Sequence, residues 1–436
     1  MTLTYRQAVA ALTERGRFGV SLGLERVIRL MDEVGHPETG LRGALVGGTN
    51  GKGSVVAMTR SVLGAAGMRV GTMPKPHLVS YRERIAIDGE PIGPDEFAAA
   101  VARVLPAIDR VAAEIGPPTE FEALTAAAIA ELARQRVDLA IVEVGMGGRL
   151  DATNVLDLGV ATITNVQRDH ERYLGSTLTA IAGEKAPIIK VGDLAVTGAS
   201  GRGLGPILDR CDALEVPLRR AGPRQPYRVT LRSSGWDGIV VDAIRPGRRL
   251  RDLHIGLLGR HQAQNAAVAL ATLDALVERW GIAVDDDAIR RGLAAARWPG
   301  RLELLDGSRA GIGRVLLDGA HNPAGADALA ASLADLGLRR PTIVFGAMRG
   351  KRITAVLRAL APLEPRFVFT RVDDPSAVRP IQLARTWRRV SGHRALTAAT
   401  PAEAVRMVDA DPLVVAGSLY LVGAVRGMIT GTTEEG

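Results

Sequence analysis

The chain has 436 residues, too many for one ordinary hydrophobic core, so two domains are the natural expectation. Hydrophobic residues make up 47% and aromatics only 3%, which points to a globular chain built on aliphatic cores. The net charge of +8 suits anionic small molecules, but the lysines and arginines form no basic run and have no interleaved aromatics, which argues against nucleic acid as a partner. Cys211 is alone, which excludes an intramolecular disulfide. No apolar run is long enough to span a membrane and no signal-peptide pattern opens the chain, so a cytoplasmic location is expected.

In chain order, Tyr5 to Thr13 and Leu24 to Val34 have helical spacing, the second segment ended by Gly35 and Pro37. Leu45 and Val46 then run straight into Gly47-Gly48-Thr49-Asn50-Gly51-Lys52-Gly53-Ser54, with helix-like spacing from Val55 to Ala65. A strand, a glycine-rich turn and a helix N-terminus make a phosphate site: backbone N–H groups close on the anion, the helix dipole favours its charge, and a lysine adds a positive tip. The strict G-x-x-x-x-G-K-[ST] form is not met, because Val46 stands at the first glycine position and Gly53 separates Lys52 from Ser54. A variant phosphate loop is expected. Met68 to Thr72 reads as a short strand. Pro74-Lys75-Pro76 reads as a stiffened loop, either a plain connector or a support for a side chain above a bound phosphate.

Glu96 to Ile115 and Thr119 to Arg136 have helix patterns, and Val137 to Val144 is a strand-like apolar run containing Glu143. A carboxylate at the C-terminal end of a parallel strand lies where open α/β sheets hold ligands, so Glu143 is a candidate to hold a Mg²⁺ that neutralises ATP phosphates; a cap or surface acid is the plainer alternative. Another strand, Leu158 to Thr164, brings Asn165, Asp169 and His170 to the same edge, and a helix over Leu178 to Lys190 carries Glu184 and Lys185. Taken singly, His170 is equally a structural histidine and Lys185 a solvated charge. From Asp193 to Leu258 the short apolar runs and turns suggest a meander, with Ser200 to Gly205 a loop. Gly259 to Gln262 opens a long helix containing Asn265, Asp287 to Ala296 forms another, and Trp298-Pro299-Gly300-Arg301 is a candidate hinge. Strands at Val315–Leu317, Thr342–Phe345, Phe367–Thr370 and Leu413–Ala416 then alternate with helices at Ala324–Asp335, Ile353–Ala361, Ile381–Arg389 and Ala402–Asp409. This is a second α/β sheet, whose first strand runs into Asp318 and His321. The tail from Thr432 is expected to fray. The fold class is therefore α/β in two domains, 1–297 and 298–436.

These blocks together resemble the Mur-type ATP-dependent amide ligases, and more closely the folylpolyglutamate synthase and dihydrofolate synthase family. In order they are Leu22-Gly23-Leu24-Glu25-Arg26, Gly48 to Ser54, Pro76-His77-Leu78 with Glu83-Arg84-Ile85, Phe121 to Thr125, Glu143 to Asn154, Asp169-His170 with Leu174-Gly175, and Glu184-Lys185-Ala186. The second half adds His261-Gln262 with Asn265, Pro299 to Glu303, Asp318 to Pro323, and Gly417-Ser418. The resemblance spans nearly the whole chain. It implies an N-terminal P-loop-type ATPase domain like the Mur central domain and a smaller Rossmann-like C-terminal domain.

The resemblance also implies the chemistry. A substrate carboxylate attacks the γ-phosphate of ATP, and the amine of L-glutamate displaces phosphate from the acyl phosphate, a reaction that needs positioning and charge neutralisation. On this basis Asn50, Gly51, Lys52, Gly53 and Ser54 hold the triphosphate, and Asn265, Arg301 and Asp318 contact the nucleotide. Ser54, Glu143, His170 and a carbamylated Lys185 are the implied Mg²⁺ ligands. Lys52, His170, Lys185 and His321 form the catalytic set, His321 lying beside the transferred phosphate. Ser21, Leu22, Gly23, Thr119, Phe121, Leu150, Asp151 and Ala152 match the substrate region for folate or dihydropteroate. A monomer acting on small molecules, without nucleic acid or membrane, is implied. The chain departs from the family at three points: Lys75 replaces a Mg²⁺-ligating serine, Ser21 replaces an aspartate common in dihydropteroate-using members, and Arg349-Gly350-Lys351 replaces an Asp-Lys pair. Two alternatives stay open: a Mur-type ligase for another carboxylate, and a non-catalytic nucleotide-binding protein.

Overall fold

The computed structural model describes residues 3–16 and 23–434. Its first sheet contains β1 (Gly43–Gly47), β2 (Val70–Met73), β3 (Ala86–Ile87), β4 (Glu90–Pro91), β5 (Leu139–Glu143), β6 (Val160–Ile163), β7 (Leu194–Thr197) and β8 (Leu218–Arg220), in the order β4-β3-β2-β5-β1-β6-β7-β8. The strands from β2 to β8 in that order are parallel; β3 and β4 are antiparallel additions at one edge. Along β1 alternate side chains enter different cores. Leu45 packs with helices Pro94–Ile115 and Glu120–Arg134 on one face, and Ala44 and Val46 pack with helices Lys52–Ala65 and Gln262–Trp280 on the other. A parallel sheet covered on both faces explains why these strands read as continuous apolar runs.

The chain then forms an antiparallel three-stranded sheet, β9 (Arg228–Gly235), β10 (Gly238–Arg245) and β11 (Arg248–Ile255), which packs into the same core as Val46 and Val56. The meander expected from Asp193 is thus only partly formed. β7 and β8 instead extend the parallel sheet, joined by helix Gly205–Ala213, and Gly201–Gly203 is a short 3-10 turn rather than open loop. The helix expected to reach Lys190 stops at Lys185, because Pro187 cannot donate the next backbone hydrogen bond.

The third sheet has β12 (Glu303–Asp306), β13 (Arg314–Asp318), β14 (Thr342–Phe345), β15 (Arg366–Phe369), β16 (Leu396–Thr397) and β17 (Leu413–Ala416), in the order β12-β13-β17-β14-β15-β16. It too is covered on both faces. Phe345, Phe367, Phe369 and Trp387 fill one side, while Val315, Leu317, Val344 and Val415 face the last helix, Leu419–Thr430, on the other. The tail does not fray up to Glu434. The Glu434 carboxylate accepts from the Tyr5 hydroxyl at 3.0 Å and the Tyr81 N–H at 3.3 Å, and its carbonyl accepts from the Ser80 hydroxyl at 2.8 Å.

Candidate active site

The C-terminal ends of β1, β2, β5 and β6 converge on one side of the first sheet. Facing them is the C-terminal end of β13, and between lies a cleft of about 800 Å³. The central strand β1 is flanked by β5 and β6; the crossover from β1 runs to β2 on one side and that from β5 runs to β6 on the other, which opens a crevice at the end of β1.

The loop after β1 fills that crevice. Gly51 has φ of +81°, and a Cβ there would lie 2.3 Å from the Asn265 side-chain oxygen. Only glycine permits both the left-handed turn and the approach of Asn265. Helix Lys52–Ala65 starts at the next residue, leaving its first N–H groups open to an anion. The loop is fastened to the β6 loop: Thr49 donates its hydroxyl to the Gln167 carbonyl at 3.1 Å, and the Asn50 N–H donates to the Asn165 side chain at 3.0 Å.

Two lysines curl over this loop. Lys52 Nζ donates to the Gly48 and Thr49 carbonyls at 3.3 and 3.2 Å and lies 4.0 Å from Glu143. Burial lowers its pKa and Glu143 opposes that fall. Lys185 Nζ donates to Gly48 at 3.0 Å; burial, and then the charge of Lys52, lower its pKa to about 7. Glu143 ends β5, and burial raises its pKa against the attraction of Lys52. Its Oε2 is buried without a hydrogen-bond partner among the described residues.

After β6 come Asp169 and His170. His170 has φ of +51°, an uncommon conformation for a residue with a side chain, and lines the cleft. Burial and then Lys351 lower its pKa to about 4. Asp169 reaches across to the third sheet's loops. It accepts from Lys351 Nζ at 2.9 Å and the Asn322 amide at 3.1 Å, and lies 3.4 Å from His321 Nε2. Burial alone would raise its pKa, but His321 and Lys351 hold it well below the usual carboxylate range.

From the third sheet, Asp318 ends β13 and accepts from the Ala320 and Leu302 N–H groups at 2.9 and 3.0 Å, with its pKa raised by burial. Arg301 lines the same wall. Asn322 caps helix Pro323–Asp335 with its oxygen, which leaves its amide free to donate to Asp169 and, at 3.1 Å, to Asn50. His321 Nδ1 lies 2.8 Å from the Gly319 carbonyl.

The cleft therefore brings together Asn50, Gly51, Lys52, Gly53, Ser54, Glu143, His170, Lys185, Asn265, Arg301, Asp318 and His321. Gly23, Thr119, Phe121, Leu150, Asp151 and Ala152 line its other end, while Ser21 and Leu22 lie outside the described residues. Thr119 caps helix Glu120–Arg134 and also donates to Glu122 at 2.9 Å, so its hydroxyl already has a structural task. Sequence reasoning gave no role to Arg84, Gln167, Asn322 or Tyr420, which also line the cleft. Arg84 and Asn322 stood inside blocks carrying the resemblance; Gln167 and Tyr420 had no local signal. Among the described residues, no three His, Cys, Asp or Glu side chains converge as a metal site.

Comparison with known proteins agrees with this geometry. Residues 46–273 match the Mur ligase middle domain and residues 300–419 the Mur ligase glutamate ligase domain. The dihydrofolate synthase/folylpolyglutamate synthase of Bacillus subtilis is 36% identical over 394 residues, covering 86% of this chain and 87% of that protein. The chain belongs to the folylpolyglutamate synthase/dihydrofolate synthase family of Mur ligases. Among solved structures, this Mur ligase is similar to the Mycobacterium tuberculosis folylpolyglutamate synthase complexed with ADP, with a TM-score of 0.89 and 33% identity over 98% of both chains. It is also similar to the Thermotoga maritima folylpolyglutamate synthase, with a TM-score of 0.86 and 33% identity over 99% of this chain and 98% of the other.

Proposed function

We propose that this chain is an ATP-dependent ligase that joins L-glutamate to the carboxylate of a folate-type acceptor through an acyl phosphate. The observation that carries the reading is the cleft itself, where a glycine-rich helix N-terminus, Lys52 and the unpartnered Glu143 oxygen face Arg301, Asp318 and His321. The loop N–H groups and Lys52 would bind the phosphates, Asn265 and Asp318 the nucleoside, and Arg301 the charge that develops on the transferred group. A buried carboxylate oxygen with no donor fits a divalent cation. We assign Glu143, Ser54, His170 and a carbamate on Lys185 to hold Mg²⁺, which when bound would neutralise the phosphate charge. With a pKa of about 7, Lys185 supplies the neutral amine that adds CO₂. Among the described residues no cluster of His, Cys, Asp and Glu closes the metal site, so nucleotide oxygens and water would complete it.

Gly23, Phe121, Leu150, Asp151 and Ala152 would receive the acceptor. The domain boundary is proposed between Arg297 and Trp298, so that the two domains close over ATP and keep water from the acyl phosphate. The enzyme is proposed to act as a monomer. No helix among the described residues is long and apolar enough to cross a membrane, and we place the enzyme with its ATP supply in the cytoplasm. The test is ligation with ATP, Mg²⁺ and glutamate, using dihydropteroate in one reaction and tetrahydrofolate in another. Mass spectrometry should find an acceptor heavier by one glutamyl unit, and its absence from both reactions would defeat the reading.

A further inference from the structure

We propose that the Lys75 ammonium recognises the acceptor's carboxylate and holds it against the phosphate loop; this rests on the ligase reading above. Lys75 follows β2, and its side chain is only 10% exposed. Its Nζ is buried and has no hydrogen-bond partner among the described residues. The nearest carboxylate, Asp151, is 3.9 Å away, an ion-pair distance without a hydrogen bond, and both of its oxygens already accept hydrogen bonds from elsewhere. One accepts from the Met146 N–H at 2.9 Å, the other from the Thr153 N–H at 3.1 Å and the Thr153 hydroxyl at 2.5 Å. The Phe121 ring lies 4.1 Å from Nζ, which favours a cation but offers no lone pair. Lys52 and Lys185 differ, since both donate to carbonyls of the phosphate loop.

An enclosed ammonium without an acceptor is strongly unfavourable, so its retention calls for an anion that arrives from outside. Position tells which anion. On one side of Lys75 lie the phosphate loop and Glu143, whose carboxylate accepts from the Lys75 backbone N–H. On the other lies the wall of Thr119, Phe121 and Leu150. A ligand group reaching both sides is a carboxylate about to take a phosphoryl group. In that step a carboxylate oxygen bonds to the γ-phosphorus, the bond to the ADP oxygen breaks, and ADP leaves with the electron pair. Lys75 transfers no proton; its charge faces the carboxylate before the step and the acyl phosphate after it. It is a binding and positioning group, so its loss should weigh on KM more than on kcat.

The test compares wild type with Lys75→Met, and with Lys75→Gln should the first fail to fold. Tetrahydrofolate, dihydropteroate and the carboxamide of each are titrated calorimetrically into the ADP-bound protein, alongside ligation kinetics. Wild type should prefer acid over carboxamide by about 100-fold, the variant should show nearly none of that preference, and the acceptor KM should rise by about 100-fold. ADP affinity should stay within about threefold. The ligand-free variant should melt higher than wild type, because a buried charge without a hydrogen-bond acceptor has been removed; a purely structural lysine would lower the melting temperature. An unchanged preference and KM would overturn the assignment, as would an equal loss of ADP affinity, which would put Lys75 on the nucleotide. If wild type ligates neither acceptor, the ligase reading falls and this inference with it; if wild type ligates and the variant matches it, the inference alone falls.

Discussion

Asp169→Asn keeps the shape of the side chain and removes its charge from the contact that spans the cleft. The carboxylate is 10% exposed and Lys351 21%, with 2.9 Å between donor and acceptor. At that distance the gross attraction is about 6 kcal/mol for an effective dielectric of 20. Desolvation offsets most of it, leaving about 1.5–3 kcal/mol for a hydrogen bond between charged partners. If closure of the two domains must precede reaction, the loss appears as a fall of about 10- to 150-fold in kcat/KM. Lys351→Met should cause a similar fall. The double variant should be little worse than Asp169→Asn alone, because Lys351 acts through Asp169, whereas Asp169 also holds Asn322 and His321. Steady-state ligation by all four proteins measures this coupling. Full activity in Asp169→Asn, or strictly additive losses in the double variant, would refute the reasoning.

Lys52→Ala and His170→Ala should each lower ligation by at least about a thousandfold while leaving the unfolding curve near that of wild type; near-normal turnover in either would remove its assigned role. Gly53→Ala places a Cβ 2.6 Å from the Trp298 indole, a contact between the phosphate-loop helix and the segment joining the domains. Overpacking of this kind costs about 1–3 kcal/mol, so urea unfolding should shift by that amount and ADP binding should weaken. Stability should also fall in mild acid. Burial, aided by Arg84, lowers His77 to about 3, and burial, aided by Arg301, lowers His261 to about 4. Both folded values lie below the unfolded value, so the unfolded chain binds more protons between them, and stability present near pH 6.5 is lost as pH falls toward the folded values. From pH 6.5 to 4.5 these two together should contribute a loss of about 4 kcal/mol, and His261→Gln should remove about 2 kcal/mol of it.

The features legible in the sequence were those made by neighbours in the chain. The turn from β1 into helix Lys52–Ala65 is local, and Gly51, Lys52 and Ser54 declare it. Glu143 and Asp318 could be placed because each closes an apolar run, which sets it at the edge of a parallel sheet. What stayed hidden depends on distant partners. β7 and β8 resemble hairpin strands in sequence, and only the pairing of β7 on β6 and of β8 on β7 makes them parallel. The tail reads as loose because Tyr5, Ser80 and Tyr81, which hold Glu434, lie more than 350 residues earlier. β12 is a short edge strand, and helix Leu419–Thr430 is apolar on most sides because Gly423 packs on the Leu78 backbone while other faces meet the sheet. No spacing rule links Asp169 to Lys351.

The most direct test of an acyl-phosphate ligase is the fate of carboxylate oxygen. The acceptor identified by ligation would be prepared with ¹⁸O in both carboxylate oxygens and incubated with the enzyme, ATP, Mg²⁺ and glutamate. Each amide formed should be matched by one inorganic phosphate carrying a single ¹⁸O, because the phosphate leaves with the oxygen that attacked it. Phosphate free of label, whether or not an amide appears, would contradict it.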